Sequence, residues 1–187
     1  MATPTSLPAT FTSGQVLTAA QMNDLRGAFR ILQVVSTTKM DTFSASVSAG
    51  NTTAITGLSA TITPTSADSN VLIIVNINGS RDNSGNGFPQ IGFQISRGGS
   101  SIGAGTTASN RVGIVSAVDI NQSGTFSYAN VAGQFLDSPA TTSATTYSVD
   151  VYARATDTYY INRTTADSDN TANPRTQSTI TVMEVSA

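Results

Sequence analysis

The 187-residue sequence contains no histidine, no cysteine and no tryptophan, and it has a single lysine, Lys39, and a single glutamate, Glu184. Without histidine and cysteine the chain cannot form a Ser-His or Cys-His nucleophile, a disulfide or a thiolate metal site, and zinc sites that lack both ligands are unusual. Glycoside cleavage requires two carboxylates close together. No sequence pattern brings together any two of the aspartates near expected strands, which are Asp119, Asp137, Asp150 and Asp157. We therefore expect no enzymatic activity, no catalytic residue and no cofactor.

Charge and long apolar runs are also scarce. Only 11% of the residues are charged, the formal net charge is −2, and the arginines are scattered between Arg26 and Arg175. Nucleic-acid binding needs a basic stripe or patch, and a membrane helix needs about 20 consecutive apolar residues. The longest apolar run, at 71–75, is much too short. We expect neither a nucleic-acid partner nor insertion into a membrane.

The chain is instead rich in hydroxyl side chains, with 24 serines and 29 threonines, and apolar residues recur among them with a period of two. This alternation predicts half-buried strands, and turns rich in Gly, Pro, Asn and Ser separate them. About ten such strands predict an all-β antiparallel jelly-roll sandwich over residues 31–187. The predicted strands lie at 31–35, 43–47, 58–62, 71–78, 91–95, 111–118, 125–128, 131–136, 147–154, 158–163 and 178–185.

The segment 71–78 is the strongest predicted strand, and it is apolar on both faces. Leu72 and Ile74 lie opposite the face that the neighbouring apolar residues share. An antiparallel sandwich strand usually exposes one face to water, so this strand needs a second cover from the helix, a loop or a neighbouring subunit. Because the Ser- and Thr-rich strands offer one chain little core, we predict a homotrimer.

A two-residue turn at Gly98-Gly99 predicts a hairpin, in which Arg97 faces Ser100 and Ile95 faces Ile102. Further along the chain, one face of the strand at 147–154 carries a continuous apolar stripe made of Tyr147, Val149, Val151 and Ala153. Both patterns place apolar side chains on one side of a sheet.

Residues 1–30 are predicted to form an arm and a short helix that attach the protein to a partner. Pro4 and Pro8 restrict the arm, and Thr18 with Gln21 resembles a capping box. Apolar residues at helical spacing form one face of the helix: Leu17, Met22, Leu25 and Phe29. A helix of about two to three turns is marginal alone in water, so it must dock, either on its own sandwich or on another chain.

Two polar loops, at 79–89 and 166–177, are the candidates for receptor contact, because loops tolerate variation while strands hold the frame. The expected contact residues are Arg81, Asn83, Asn86, Phe88, Asp167, Asp169 and Arg175. The candidates for binding sugars by stacking and hydrogen bonding are Phe88, Tyr128, Tyr159, Tyr160 and Arg163. Packing within strands is the more ordinary role of the tyrosines.

Two acidic stretches, one in each loop, are candidate calcium sites. DNSGNG (82–87) partly matches the EF-hand spacing, but Phe93 stands at the twelfth position, where glutamate is required. DSDN (167–170) is the second stretch. A solvated turn accounts for either stretch, so we assign no metal site.

An ordered set of strings resembles small structural proteins of tailed-phage virions. FTSGQVLTAAQMNDL (11–25) is similar to their N-terminal segment, and ITGLSATITPTSADSNVLIIV (55–75) to the start of a jelly-roll fibre head. The strings that follow in the same order are FQISRGGSSIG (93–103), FLDSPATTSATTYSV (135–149), YYINRT (159–164) and STITVMEV (178–185). The resemblance implies a C1q/TNF-like trimeric jelly roll, without catalytic residues, assembled in the host cytoplasm and located in the virion.

Four functions compete on this sequence. The leading hypothesis is a tail fibre or tip protein that joins other virion proteins through residues 1–30 and displays a β head to a host surface glycan or protein. The first alternative is a capsid decoration or head-fibre protein, and the second is a free carbohydrate-binding module. A depolymerase enzyme fits least, since neither an acid pair nor a β-helix repeat is present.

Overall fold

The computed structural model of the chain describes residues 13–14, 16, 18–19, 22, 31–82, 90–120 and 128–186. Neighbouring strands pair antiparallel throughout this part, and they form two sheets, so the predicted all-β sandwich is confirmed. The strands are β1 (Ile31–Lys39), β2 (Phe43–Val47), β3 (Thr52–Ile62), β4 (Asn70–Arg81), β5 (Gln90–Arg97), β6 (Ser100–Ile102), β7 (Ser116–Asp119), β8 (Ala129–Asp137), β9 (Thr145–Ala153), β10 (Asp157–Ile161) and β11 (Ser178–Val185).

Sheet A consists of β1, β2, β4, β8, β10 and β11, and sheet B of β3, β5, β6, β7 and β9. The long strand β4 pairs with β8 along one edge, while β11 and β10 share its other edge end to end. Along the chain, successive strands or groups of strands alternate between the two sheets. This alternation makes the sandwich jelly-roll-like.

The core lies between the sheets and is filled by alternate residues of each strand. Every second residue of β4, from Val71 to Ile77, is at most 1% exposed. The predicted stripe on β9, from Tyr147 to Ala153, is buried to the same degree. These two strands therefore confirm the period-two assignment, with one apolar face turned toward the opposite sheet.

The predicted hairpin is confirmed in its register. Arg97 pairs with Ser100 and Ile95 pairs with Ile102. Gly98 and Gly99 have φ angles of 55° and 85°, which the two central residues of a type I′ turn require and which glycine adopts without strain.

The expectation of a strand over 111–118 is wrong for most of its length, because only β7 forms a strand there. Residues 104–114 fold into an irregular hairpin in which Ala108 and Arg111 form an isolated bridge. A Cβ on Gly113 would lie 1.8 Å from the carbonyl oxygen of Gly105. The two arms of this hairpin therefore approach closely only because glycines stand at the crossing. The segment predicted at 125–128 lies outside the described residues except for Tyr128.

Candidate functional site

The predicted attachment segment falls mostly outside the described residues, which include neither Leu17, Leu25 nor Phe29. Met22 is described and is 49% exposed. Its amide donates to the carbonyl oxygen of Thr18 at 3.0 Å, the bond that closes one α-helical turn. No helical element is defined within the described part of the chain, so the attachment helix stays a prediction.

Arg81, a predicted receptor contact, is corrected by the structure. Strand β4 continues to Arg81, which pairs with Tyr159 of β10, so the loop begins later than expected. The Arg81 Nε donates to Asp157 Oδ2 at 2.7 Å, and the two side chains are only 1% and 5% exposed. Arg81 therefore belongs to a buried ion pair and is enclosed by the fold. The other predicted contacts of this loop, Asn83, Asn86 and Phe88, lie outside the described residues.

In the loop between β10 and β11, two arginine side chains lie close to the carboxylate of Asp167. Arg175 donates to both carboxylate oxygens of Asp167, at 2.8 and 3.0 Å. The Arg163 guanidinium lies 3.4 Å from the same carboxylate, and it also stacks 4.4 Å from the ring centre of Tyr160. Asp167 and Arg175 thus neutralise each other, while Asp169 lies exposed at the loop tip.

The base of this loop is anchored by buried hydrogen bonds. Asn162, with a φ of 63°, donates through Nδ2 to the carbonyl oxygens of Lys39 and Asp41 at 2.8 and 2.9 Å. Ser178 donates to Asn162 Oδ1 at 2.7 Å. These bonds join the end of β1 to the start of β11, so the loop tip stands on a fixed base.

The acidic side chains near the strands each have a separate partner. Asp137 accepts hydrogen bonds from Arg97 and Tyr147, both at 2.7 Å. Burial of the Tyr147 phenol, together with its hydrogen bond to Asp137, raises the pKa of that phenol. Asp150 accepts from Ser96 at 2.5 Å. Within the described ranges, no three His, Cys, Asp or Glu side chains lie close enough to hold a metal ion.

The tyrosines considered for sugar stacking differ in exposure. Tyr159 is fully buried and its hydroxyl donates to the Ala155 carbonyl oxygen at 3.1 Å. Tyr160 is half-buried beneath Arg163, and Tyr128 is 42% exposed. Packing within the sandwich therefore accounts for Tyr159.

The outer face of sheet A carries an uncovered line of apolar side chains. The strand registers place Val34 opposite Met183, Met183 opposite Leu72, and Leu72 opposite Leu136. We call these four residues the apolar row. Val34 and Leu136 are 54% and 52% exposed, although the row crosses four adjacent strands.

Neighbouring residues extend this apolar surface. Ile74 follows Leu72 on the same face and is 37% exposed, and Leu32 at the start of β1 is 38% exposed. The sequence predicted the unburied second face of β4 through Leu72 and Ile74. It did not predict the participation of Val34, Met183 and Leu136, because these residues join the row only through pairing between distant strands.

Comparison with known proteins identifies no relative, since no protein-family model matches the chain and no curated protein matches it. Within the described residues, no helix is both long and apolar enough to cross a membrane.

Proposed function

We propose that this protein is a structural protein of a tailed-phage virion, a tail fibre or tip protein that attaches through residues 1–30 and displays a trimeric β head for host adhesion. The observation that carries the proposal is the apolar row. A monomer in water would leave this row exposed across the centre of a sheet, whereas contiguous exposed apolar patches usually mark interaction sites.

A second and a third copy of the chain are the proposed cover for the apolar row. Three identical subunits arranged around a three-fold axis can each turn sheet A inward and bury its outer face. Each fully buried aliphatic side chain contributes about 1.5–3 kcal/mol. Two of the four row residues are about half exposed and the other two are partly buried, so burying the row in three copies favours association. Sheet B then faces outward from the trimer.

The jelly-roll-like wiring supports the same proposal, since the sequence strings resemble fibre heads of that architecture. Alternation of the chain between two sheets puts β1, β11, β4 and β8 side by side, and these four strands carry the apolar row. The anchored loop between β10 and β11 offers an exposed tip at residues 168–172, where a rigid frame supports a variable contact surface.

The proposal is tested by locating the protein in the virion. In a reconstruction of phage particles, we expect density for the β head at the tail, and we expect a chain lacking residues 1–30 to form soluble trimers that do not join particles. Density on the capsid shell would replace the tail-fibre assignment by the decoration or head-fibre alternative. Particles that lack the protein altogether, or normal incorporation of the truncated chain, would refute the attachment proposal.

A further inference from the structure

A cleft on the outer face of sheet B brings two arginines and a tyrosine together. Its volume is about 570 Å³, within the roughly 300–1,000 Å³ that small-molecule sites occupy. We call it the arginine cleft. Its polar lining consists of Gln90, Asn110, Arg111, Tyr152 and Arg154.

The chain builds this cleft from β9 and the hairpin at 104–114. Tyr152 alternates with core residues on β9, so it points away from the core. Arg154 directly follows the end of β9 and is exposed. Arg111 stands on the hairpin, where it exchanges backbone hydrogen bonds of 3.0 and 3.2 Å with Ala108. Gly92, the register partner of Tyr152, allows the hairpin to close on the sheet, since a Cβ there would lie 2.9 Å from Ile114.

Among the described residues that line the arginine cleft, two are arginines and none is acidic. Elsewhere in the described chain, Arg81, Arg97 and Arg175 each pair with an aspartate. Arg111 is exposed and forms no ion pair within the described residues. A protein of net charge −2 therefore presents the Arg111 guanidinium here to an external anion, and guanidinium binds carboxylates through paired hydrogen bonds.

A second, polar cleft adjoins the first and shares Gly50 and Val112 with it. We call it the amide cleft, because Gln94 lies in its lining together with Ser96 and Asp150. Gln94 is 3% exposed, and its Oε1 has no hydrogen-bond partner within the described residues. An unsatisfied buried acceptor is rare in folded proteins, and it marks this cleft as a place where a water or a ligand hydroxyl would be favoured.

We infer that the two clefts together bind an acidic oligosaccharide of the uronic-acid type. The carboxylate lies against Arg111 and Arg154, one sugar ring packs on Tyr152, and hydroxyls of the next ring reach the amide cleft. Arg154 lies four positions after Asp150, a span of about 13 Å along an extended chain, which suits a short oligosaccharide better than a single sugar.

This inference rests on the proposed adhesive function and names the host ligand class. The proposed trimer buries the outer face of sheet A and leaves sheet B outward, so three copies of the clefts stay accessible. Weak single contacts would then gain avidity of about 10²–10⁴ from multivalent display.

The test is a chemical-shift titration of the full chain with a galacturonic-acid tetrasaccharide and with its methyl ester. We expect saturable shifts of the Arg111, Tyr152 and Arg154 amides with the acid. The ester keeps the sugar rings and loses the charge, so it should bind at least about tenfold more weakly. Absence of saturable shifts at millimolar acid, or equal binding of acid and ester, would overturn the inference.

Two variants locate the binding. Arg111→Gln and Tyr152→Ala lie on exposed or half-exposed surface, and each should weaken binding of the acid about tenfold or more. Arg175→Gln, which removes the same charge from the loop between β10 and β11, should leave binding unchanged. An equal loss in Arg175→Gln would refute the cleft assignment. A protein located at the phage tail that binds no acid would refute this inference alone, whereas binding by a protein absent from particles would refute only the proposed function.

Discussion

The two sheets share one core and differ on their outer faces. Sheet A exposes the apolar row, from Val34 to Leu136. The outer face of sheet B carries polar side chains, among them Thr61, Thr146 and Tyr152. An apolar outer face gains from cover by another protein surface, while a polar outer face can remain in water or hold a polar ligand. The contrast separates the face proposed for assembly from the face proposed for ligand recognition within one small domain.

The sheets also differ in where they hold charge. Within the described residues, the buried Lys, Arg, Asp and Glu side chains all lie on strands of sheet A: Lys39, Arg81, Asp137, Asp157 and Glu184. Most of them stand near strand ends, where they join strands to adjoining loops through hydrogen bonds. Sheet A thus combines an apolar outside with polar ends that hold its strands in register.

The largest expected effect comes from placing charge on the apolar row. The double variant Val34→Asp and Leu136→Asp should convert the proposed trimer to a folded monomer, because both side chains are more than half exposed in the single chain and would become buried, unpaired charges at the proposed interface. Light scattering on the purified proteins measures the mass.

The matched control is Val112→Asp, which makes the same change at a residue that is 45% exposed beside sheet B. It should stay trimeric. A wild-type chain that is already monomeric at micromolar concentration, or a double variant that remains trimeric, would contradict the assignment of sheet A as the assembly face.

Substitutions in the core should lower the free energy of unfolding by similar amounts on the inner faces of both sheets, because the two sheets share one core and their contrast lies on the outer faces. Ile73→Ala on sheet A and Ile95→Ala on sheet B each empty a fully buried site and should lower the free energy of unfolding by about 2–5 kcal/mol. Urea denaturation in the monomeric background measures this without a contribution from association.

The comparison variant on the outer face of sheet B is Thr61→Ala, which removes one exposed hydroxyl paired with Thr146 at 2.8 Å. Its effect should stay within about 0.5 kcal/mol. Core sites lose about 2–5 kcal/mol in such substitutions. A loss below about 1 kcal/mol in Ile73→Ala or Ile95→Ala would therefore show that the core does not lie between these sheets.

A smaller effect is expected at Glu184, the only glutamate, which is fully buried at the end of sheet A. Its carboxylate accepts hydrogen bonds from the Thr65 amide and hydroxyl, both at 2.7 Å, and from Gln33 at 3.0 Å. Burial alone would raise the pKa of Glu184. The hydrogen bonds from Gln33 and Thr65 together lower the pKa by more than burial raises it, so the pKa lies below its usual value.

A depressed folded pKa contributes stability above the unfolded value, about 4.3 for glutamate, and that stability is lost as pH falls through the folded pKa. Glu184→Gln should therefore cost about 1–3 kcal/mol at neutral pH and flatten the loss of stability between neutral and acid pH. Asp169→Asn at the exposed loop tip is the control and should keep the wild-type profile. A Glu184→Gln protein with an unchanged acid profile would contradict this role.

Much of the fold was predictable because strand periodicity is local. The alternation in β4 and β9 and the two glycines after Arg97 are each readable within ten residues. The strand predicted over 111–118 is wrong at residues 111–114, where Val112 and Ile114 alternate like strand residues although glycines at 105 and 113 bring the two arms of a hairpin together. Arg81 was misplaced because β4 runs further than its apolar pattern.

The candidate sites depended on contacts between distant residues. Leu72 and Ile74 indicated an uncovered face, but Val34 and Met183 are 149 positions apart and meet only through the pairing of β1 with β11. Arg111 and Arg154 come together only when the hairpin folds over β9. Composition and spacing could predict neither juxtaposition.

By itself, the sequence determined that this chain is built of alternating strands and lacks the histidine and cysteine of Ser-His, Cys-His and thiolate chemistry, because side-chain type and a period of two are properties of neighbouring residues. Only the tertiary structure decided which outer face is apolar, which is polar, and which charges are enclosed. Those properties follow from strand register, and register is set by the joint burial of residues far apart in the chain.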